Sequence, residues 1–541
     1  MSGRFHLGRM AAVACGCMLF LAQSAKAQRG PWVADRGDGA YRNPILYADY
    51  SDPDAIRVGD DFYMTASSFD AVPGLPILHS RDLVNWEIVG HALKRQVPFD
   101  VYDKPQHGNG VWAPAIRYHA GEFYIFYPDP DYGIYVIKAK RPEGPWSDPL
   151  LIKTAKGWID PCPLWDDDGK AYLVSAMAAS RSGMKSVLIV SRMSPDASKL
   201  LDDGVLVFDG HDKNPTVEGP KFYKRNGFYY LFAPAGGVPR GWQLALRSRN
   251  VYGPYEARVV LAQGKTDVNG PHQGAWVETQ TGESWFLHFQ DLGPYGRVVH
   301  LQPMKWVNDW PVVGNDPDGD GTGEPVASFR KPNVGKTWPV GTTATTDEFN
   351  ESAIGPQWQW QANPQPSWAF PSPATGTLRL VAVPPPDAAR NLWEVPNVLL
   401  QKFPAPAFTA SAKLTFNAFN DDERAGLIVM GLDYGYVGLQ RKAGSINVVT
   451  VVCRDADKGA AEIESSPIPL RTATVYLRAQ VAAGAMVTFA YSTDGTTFTR
   501  VGPPFQAREG KWIGAKVGVF ATGTGTRREY GYADLDWFRV E

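Results

Sequence analysis

No run of 18 apolar residues occurs in the 541-residue chain. A helix that spans a bilayer needs about 20, so none is encoded. Cysteine is nearly missing: there are four, and Cys15 and Cys17 fall in the first 27 residues. That leaves Cys162 and Cys453, which lie in stretches that read as different domains, so no disulfide framework holds the fold. Charge of one sign is lacking too. Lys+Arg number 54 and Asp+Glu 56, with no basic block and no acidic tail, which excludes a nucleic-acid partner and a solvating arm. No long segment shows helical periodicity.

Turn formers and aromatics are plentiful. The chain has 54 Gly and 44 Pro, and 18 Trp and 23 Tyr contribute to 12% aromatics. Such rings pack sheets and stack on sugar faces. The length exceeds one core and predicts two domains or three. At the N-terminus, Arg4 and Arg9 precede a mostly apolar Met10 to Ala22, and Ala25-Lys26-Ala27 is a small-x-small cleavage signal. Residues 1–27 therefore read as a secretory leader, which predicts a bacterial periplasmic or secreted protein.

Ser51-Asp52-Pro53 opens the first of five hairpins. The hairpins turn at Gly59-Asp60-Asp61, Ala120-Gly121-Glu122, Asp167-Asp168-Gly169, Arg225-Asn226-Gly227 and Thr281-Gly282-Glu283. Each has apolar residues before the turn and aromatics after it. They recur about 50 to 60 residues apart, the period of propeller blades. Ser80 to Trp86, Lys140 to Trp146 and Ser248 to Tyr255 are outer-strand turns, each ending in an aromatic that packs under its blade. The prediction is all-β: a five-bladed β-propeller over 28–335, a linker at 336–346 and a β-sandwich over 347–541. Asn315-Asp316-Pro317-Asp318-Gly319-Asp320-Gly321 matches half of an EF-hand loop. However, Ala327 stands where the last ligand should be and no helix flanks it, so it reads as a polar turn.

Three carboxylates open three blades: Asp52 the first, Asp160 (in Ile159-Asp160-Pro161) the third, and Glu218 (in Val217-Glu218-Gly219-Pro220) the fourth. Inner strands of a propeller line one channel, so residues at their ends converge on one funnel. Glycoside hydrolysis needs an acid to protonate the leaving oxygen and a base to activate water. A third carboxylate can raise the acid's pKa.

In its motifs the chain resembles the family 43 glycoside hydrolases. They are Asn43-Pro44-Ile45-Leu46, Ser51-Asp52-Pro53, Val58 to Tyr63, His79 to Trp86, Val111-Trp112-Ala113-Pro114, Ile159-Asp160-Pro161, Val217-Glu218-Gly219-Pro220 and Gly296-Arg297. The resemblance implies that Asp52 is the general base, Asp160 the group that tunes and orients the acid, and Glu218 the acid. It further implies sugar contacts at Phe69, Trp112 and Arg297. It places His272, in Gly270-Pro271-His272-Gln273-Gly274, in the central channel beside a calcium held through water, with no organic cofactor. Asp347-Glu348-Phe349 and Asp534 to Phe538 resemble the concanavalin-like sandwich that accompanies such enzymes and can shape the pocket rim.

The expected partner is a plant cell-wall poly- or oligosaccharide; oligomeric state is left open. Phe69-Asp70-Ala71-Val72-Pro73-Gly74 lacks a Trp common after the first hairpin in xyloside-cleaving members, which favours an exo-acting α-L-arabinofuranosidase with inversion. The alternatives are a β-D-xylosidase, an endo-acting relative and a sugar-binding propeller without catalysis.

Overall fold

The computed structural model describes residue 3, residues 30–524 and residues 529–541; apart from Gly3, the expected leader lies outside the described residues. Five four-stranded antiparallel sheets, each built from consecutive strands, occupy 54–93, 115–154, 158–209, 221–261 and 272–313. These are the five blades. Strand Ala40–Arg42 pairs with Ser328–Arg330, so chain from before the first blade is zipped to chain from after the fifth. Asn43 helps close the ring by donating to the carbonyls of Leu301 and Val326 while accepting from the Leu301 amide. Helix is limited to two four-residue turns, Phe99–Tyr102 and Ala179–Ser182, and three 3₁₀ turns among the described residues.

The three repeated outer turns behave alike. Trp86 Nε1 donates to Leu83 O at 2.9 Å, Trp146 Nε1 to Pro142 O at 3.0 Å and the Tyr255 hydroxyl to Val251 O at 2.9 Å. Each aromatic thus closes its own turn while its ring packs on the blade. In the Asp316 loop, Asp316 accepts the amides of Gly319 and Gly321, and Asp320 accepts that of Thr322. The loop is bounded by strand and bridge, not helix.

Blades are stapled near the axis by one buried group. Arg117, on the inner strand of the second blade, pairs with Asp54 of the first at 2.6 Å and donates to Cys162 Sγ of the third at 2.8 Å. The same sulfur accepts the Phe222 amide of the fourth blade at 3.2 Å, and the Tyr223 hydroxyl accepts the Trp276 amide of the fifth. Arg57 of the first blade donates to Glu278 O of the fifth, which completes the circle.

Residues 336–346 carry no strand and run along the flank of the first blade, with Gly341 N donating to the Asn85 side chain. Beyond them are two packed sheets of seven and eight strands, a sandwich. Their inner faces alternate as half-buried strands should, for example over Thr474–Ala482, where Val475, Leu477, Ala479 and Val481 are buried. Cys162 and Cys453 are both buried and free, as their separation in sequence implies.

The sandwich is fused to the propeller. Tyr295, from the last blade, is buried in the sandwich core, where its hydroxyl donates to Pro406 O and accepts the Ala485 amide. Val72 and Trp360 exchange backbone hydrogen bonds across the interface at 3.0 and 2.6 Å. Gln96 and Asn363 do so through the Asn363 side chain at 2.7 and 2.9 Å.

Replacing Arg117 by Met should lower unfolding free energy by about 3–5 kcal/mol, because Asp54 is then left buried and unpaired. Arg117→Lys should recover part of it. Urea denaturation measures both, and a neutral Met variant would show that the staple does not hold the ring.

Candidate active site

Asp52, Asp160 and Glu218 meet at the mouth of the channel, as their positions at blade entrances predict. Each stands just ahead of the inter-blade staple. Asp52 lies two residues before Asp54, Asp160 two before Cys162, and Glu218 four before Phe222. They line a cavity of about 130 Å³ together with Phe69, Trp112, Ala113, Ile159, Val238, Gln273, Arg297 and Trp512. The local backbone is unusual. Asp52 (φ 55°), Asp160 (φ 55°), Phe69 (φ 51°) and Gln273 (φ 38°) all take left-handed conformations. Non-glycine residues adopt these at a cost, and such residues cluster at functional sites.

Asp52 is fixed from three sides. Ser51 and Ser67 hydroxyls donate to its Oδ2 at 2.7 and 2.6 Å, and Arg297 Nη1 lies 3.2 Å from Oδ1 and 3.3 Å from Oδ2. Arg297 is itself 2.7 Å from the Ser51 hydroxyl. The predicted sugar-binding arginine therefore also orients a carboxylate.

Asp160 is 4% exposed and accepts the Gly219 amide at 2.7 Å, which binds it to the residue after Glu218. Burial, and then the charges of Glu218 and Asp52, push its carboxyl well above the usual carboxylate range. Asp160 consequently retains its proton where an isolated carboxyl would have lost it. Glu218 has a side chain 27% exposed, in reach of the cavity.

His272 lies beneath Glu218, not in the cavity wall. It is fully buried, with Nε2 at 3.3 Å from Glu218 Oε1 and Nδ1 without a protein partner. The orphaned nitrogen suits a hydrogen-bonded water. It does not supply an inner sphere for calcium, which takes six to eight oxygens. Among the described residues the only cluster of three or more metal-type ligands is Asp316, Asp318 and Asp320. The donors at His272 thus fit calcium only at second hand, through water.

The aromatic walls have separate supports. Trp112 Nε1 donates to Gly108 O at 2.9 Å, and the Arg181 guanidinium lies over its ring at 5.1 Å. Phe69 pairs with Val111 through two backbone hydrogen bonds. Trp512 comes from the sandwich and is 54% exposed at the rim. Its loop is seated by Asp49, which accepts the Arg297 amide on Oδ1 at 2.9 Å and the Gly514 amide on Oδ2 at 3.1 Å. Sequence reasoning missed Trp512, Asp49 and Gln273. Gln273 adjoins His272, and the only signal at Trp512 is a Trp between Gly510 and Gly514.

A family model described as "Glycosyl hydrolases family 43" matches residues 41–311, and one described as "Beta xylosidase C-terminal Concanavalin A-like domain" matches 346–541. The chain belongs to glycoside hydrolase family 43. A putative β-xylosidase of Xylanibacter ruminicola is 41% identical over 497 residues, covering 90% of this chain and 87% of that protein. A non-reducing end α-L-arabinofuranosidase of Bacteroides ovatus is 29% identical, covering 94% and 96%. Among solved structures, a xylan β-1,4-xylosidase from Bacillus halodurans superposes with a TM-score of 0.81 at 26% identity, covering 92% of this chain and 99% of that one.

In this family 43 enzyme, Asp160→Asn should move the alkaline limb of the kcat/KM profile to higher pH, because it removes a buried carboxyl whose ionisation lies well above the usual carboxylate range. An alkaline limb that stays in place would take Asp160 out of the pH dependence.

Proposed function

We propose that the protein is a secreted, exo-acting β-D-xylosidase that removes terminal xylose from plant oligosaccharides with inversion. The observation that carries the exo reading is the cavity: about 130 Å³, walled by Phe69, Trp112 and Trp512, with all three carboxylates on its lining. A hollow of that size takes a chain end, not the middle of a polysaccharide. The relatives named β-xylosidases favour xylose over arabinose.

The missing Trp after Phe69 carries little weight against xylose. Asp70 accepts the Gln106 and His107 amides, and Val72 pairs with Trp360, so that stretch is committed to docking. A rim aromatic comes instead from Trp512. The α-L-arabinofuranosidase reading stays second, supported by the Bacteroides ovatus relative.

In the proposed reaction, Asp52 accepts a proton from water as the oxygen attacks the anomeric carbon. Glu218 donates its proton to the departing oxygen, and the glycosidic bond breaks. Asp160, which accepts the Gly219 amide, anchors the segment that carries Glu218. Arg297, Ser51 and Ser67 fix the angle of the base. Base and acid come from the first and fourth blades. That separation suits inverting geometry, in which carboxyls stand roughly 6.5–9.5 Å apart and a water fits between them. A calcium carried through water on His272 Nδ1 would supply positive charge below Glu218, and no step above depends on it.

Two measurements test this. Turnover of 4-nitrophenyl β-D-xyloside should exceed that of the α-L-arabinofuranoside in kcat/KM; the reverse order would replace xylose by arabinose. Glu218→Gln should cost about 10²–10⁴-fold on xylobiose, the usual scale of general-acid catalysis, and much less on an activated aryl xyloside. Equal losses on both would remove Glu218 from the acid role.

A further inference from the structure

A second hollow, of about 930 Å³, lies in the seam between propeller and sandwich. Lys104, Gln106 and His107 form one side; Trp393, Asp457 and Lys511 belong to the other. It is several times larger than the catalytic cavity and has the size and domain-interface setting of ligand sites.

The two hollows are lined by adjacent residues. Trp512 lines the cavity and Lys511, its neighbour, lines the groove. Gly108 stands against both: at φ 76°, a Cβ there would lie 2.9 Å from Lys511 Cγ and 2.9 Å from Trp512 Cδ1. Its carbonyl holds Trp112 of the cavity wall. On the same loop, the Gln106 and His107 amides are pinned by Asp70, next to Phe69. Both walls of the cavity mouth are therefore built on the segments that line the groove.

The lining holds two lysines and one carboxylate oxygen without protein partners among the described residues, over an aromatic base. The His107 ring stacks on Trp393 at 3.6 Å and 17°. Among the described residues, neither Lys104 nor Lys511 forms an ion pair with a carboxylate. Asp457 Oδ1 is buried without a partner. Donors and acceptors that the protein leaves unused, beside stacked rings, suit a chain of hydroxyl-bearing sugar rings.

We propose that this groove binds the leaving-group side of a β-linked xylose chain, beyond the terminal ring held in the cavity. The enzyme would then prefer oligosaccharides to disaccharides. This rests on the β-xylosidase reading.

The test is kcat/KM for 4-nitrophenyl β-D-xyloside, xylobiose, xylotetraose and xylohexaose, in the full chain and in Lys104→Ala/Lys511→Ala and Asp457→Asn variants. In the parent, kcat/KM should rise roughly tenfold from xylobiose to xylotetraose, the scale of one hydrogen bond to a charged group. The variants should lose that rise through KM, while the aryl xyloside and xylobiose stay within about twofold. Retained activity on these two shows that a variant is folded. Hydrolysis of both short substrates with no gain on longer chains would overturn the groove and leave the xylosidase reading standing. So would a loss in the variants that is equal on all substrates. No turnover of the aryl xyloside by the parent would overturn the xylosidase reading, and this proposal with it.

Discussion

The buried pair of Arg117 and Asp54 is the constraint on which the catalytic geometry depends. A guanidinium taken out of water needs partners on several sides, and here the partners come from different blades. Asp54 takes the charge, Cys162 Sγ takes a second N–H, and the sulfur in turn receives the Phe222 amide. Inner strands of four blades are thus fixed to one another within a few ångströms. Asp52, Asp160 and Glu218 sit two to four residues upstream along three of those strands. Their mutual placement is inherited from the staple. Precision in the carboxylates does not require them to touch one another, which like charges would oppose.

A second constraint acts at the rim. Asp49 accepts one amide from each domain, and its neighbours on both sides are active-site residues, Arg297 on one strand and Trp512 two residues from Gly514. Close backbone approach makes this possible: a Cβ on Gly514 would lie 2.6 Å from Gly296 N. With Tyr295 buried in the sandwich core, the sandwich is a wall of the cavity and not a tethered module. The cavity is accordingly lined by residues of both domains.

The strained backbone fits the same picture. Left-handed conformations at Asp52, Asp160, Phe69 and Gln273 survive because the blades and the sandwich hold the flanking strands. The result is a cavity whose polar groups are oriented before substrate arrives. Electrostatic assistance is largest under that condition.

The propeller was legible because each blade is local. A hairpin, its aromatic pair and its outer turn lie within about 50 residues, and each repeats its own periodicity and turn chemistry. The three carboxylates were legible for the same reason, as each is part of a short motif at a blade entrance. By itself the sequence determined the five blades, the sandwich and the three carboxylates at the blade entrances. Tertiary structure alone decided the rest. Trp512 and Lys511 reach the cavity and the groove from more than 200 residues beyond Gly296 and Arg297, through a docked loop without a local signature. His272 is fully buried and meets Glu218 at 3.3 Å. The stretch from Phe69 to Gly74 lacks a Trp, and in the fold Phe69 lines the cavity while Val72 pairs with Trp360 of the sandwich. Burial and contact between segments distant in the chain carry no periodicity, so only the folded arrangement reveals them.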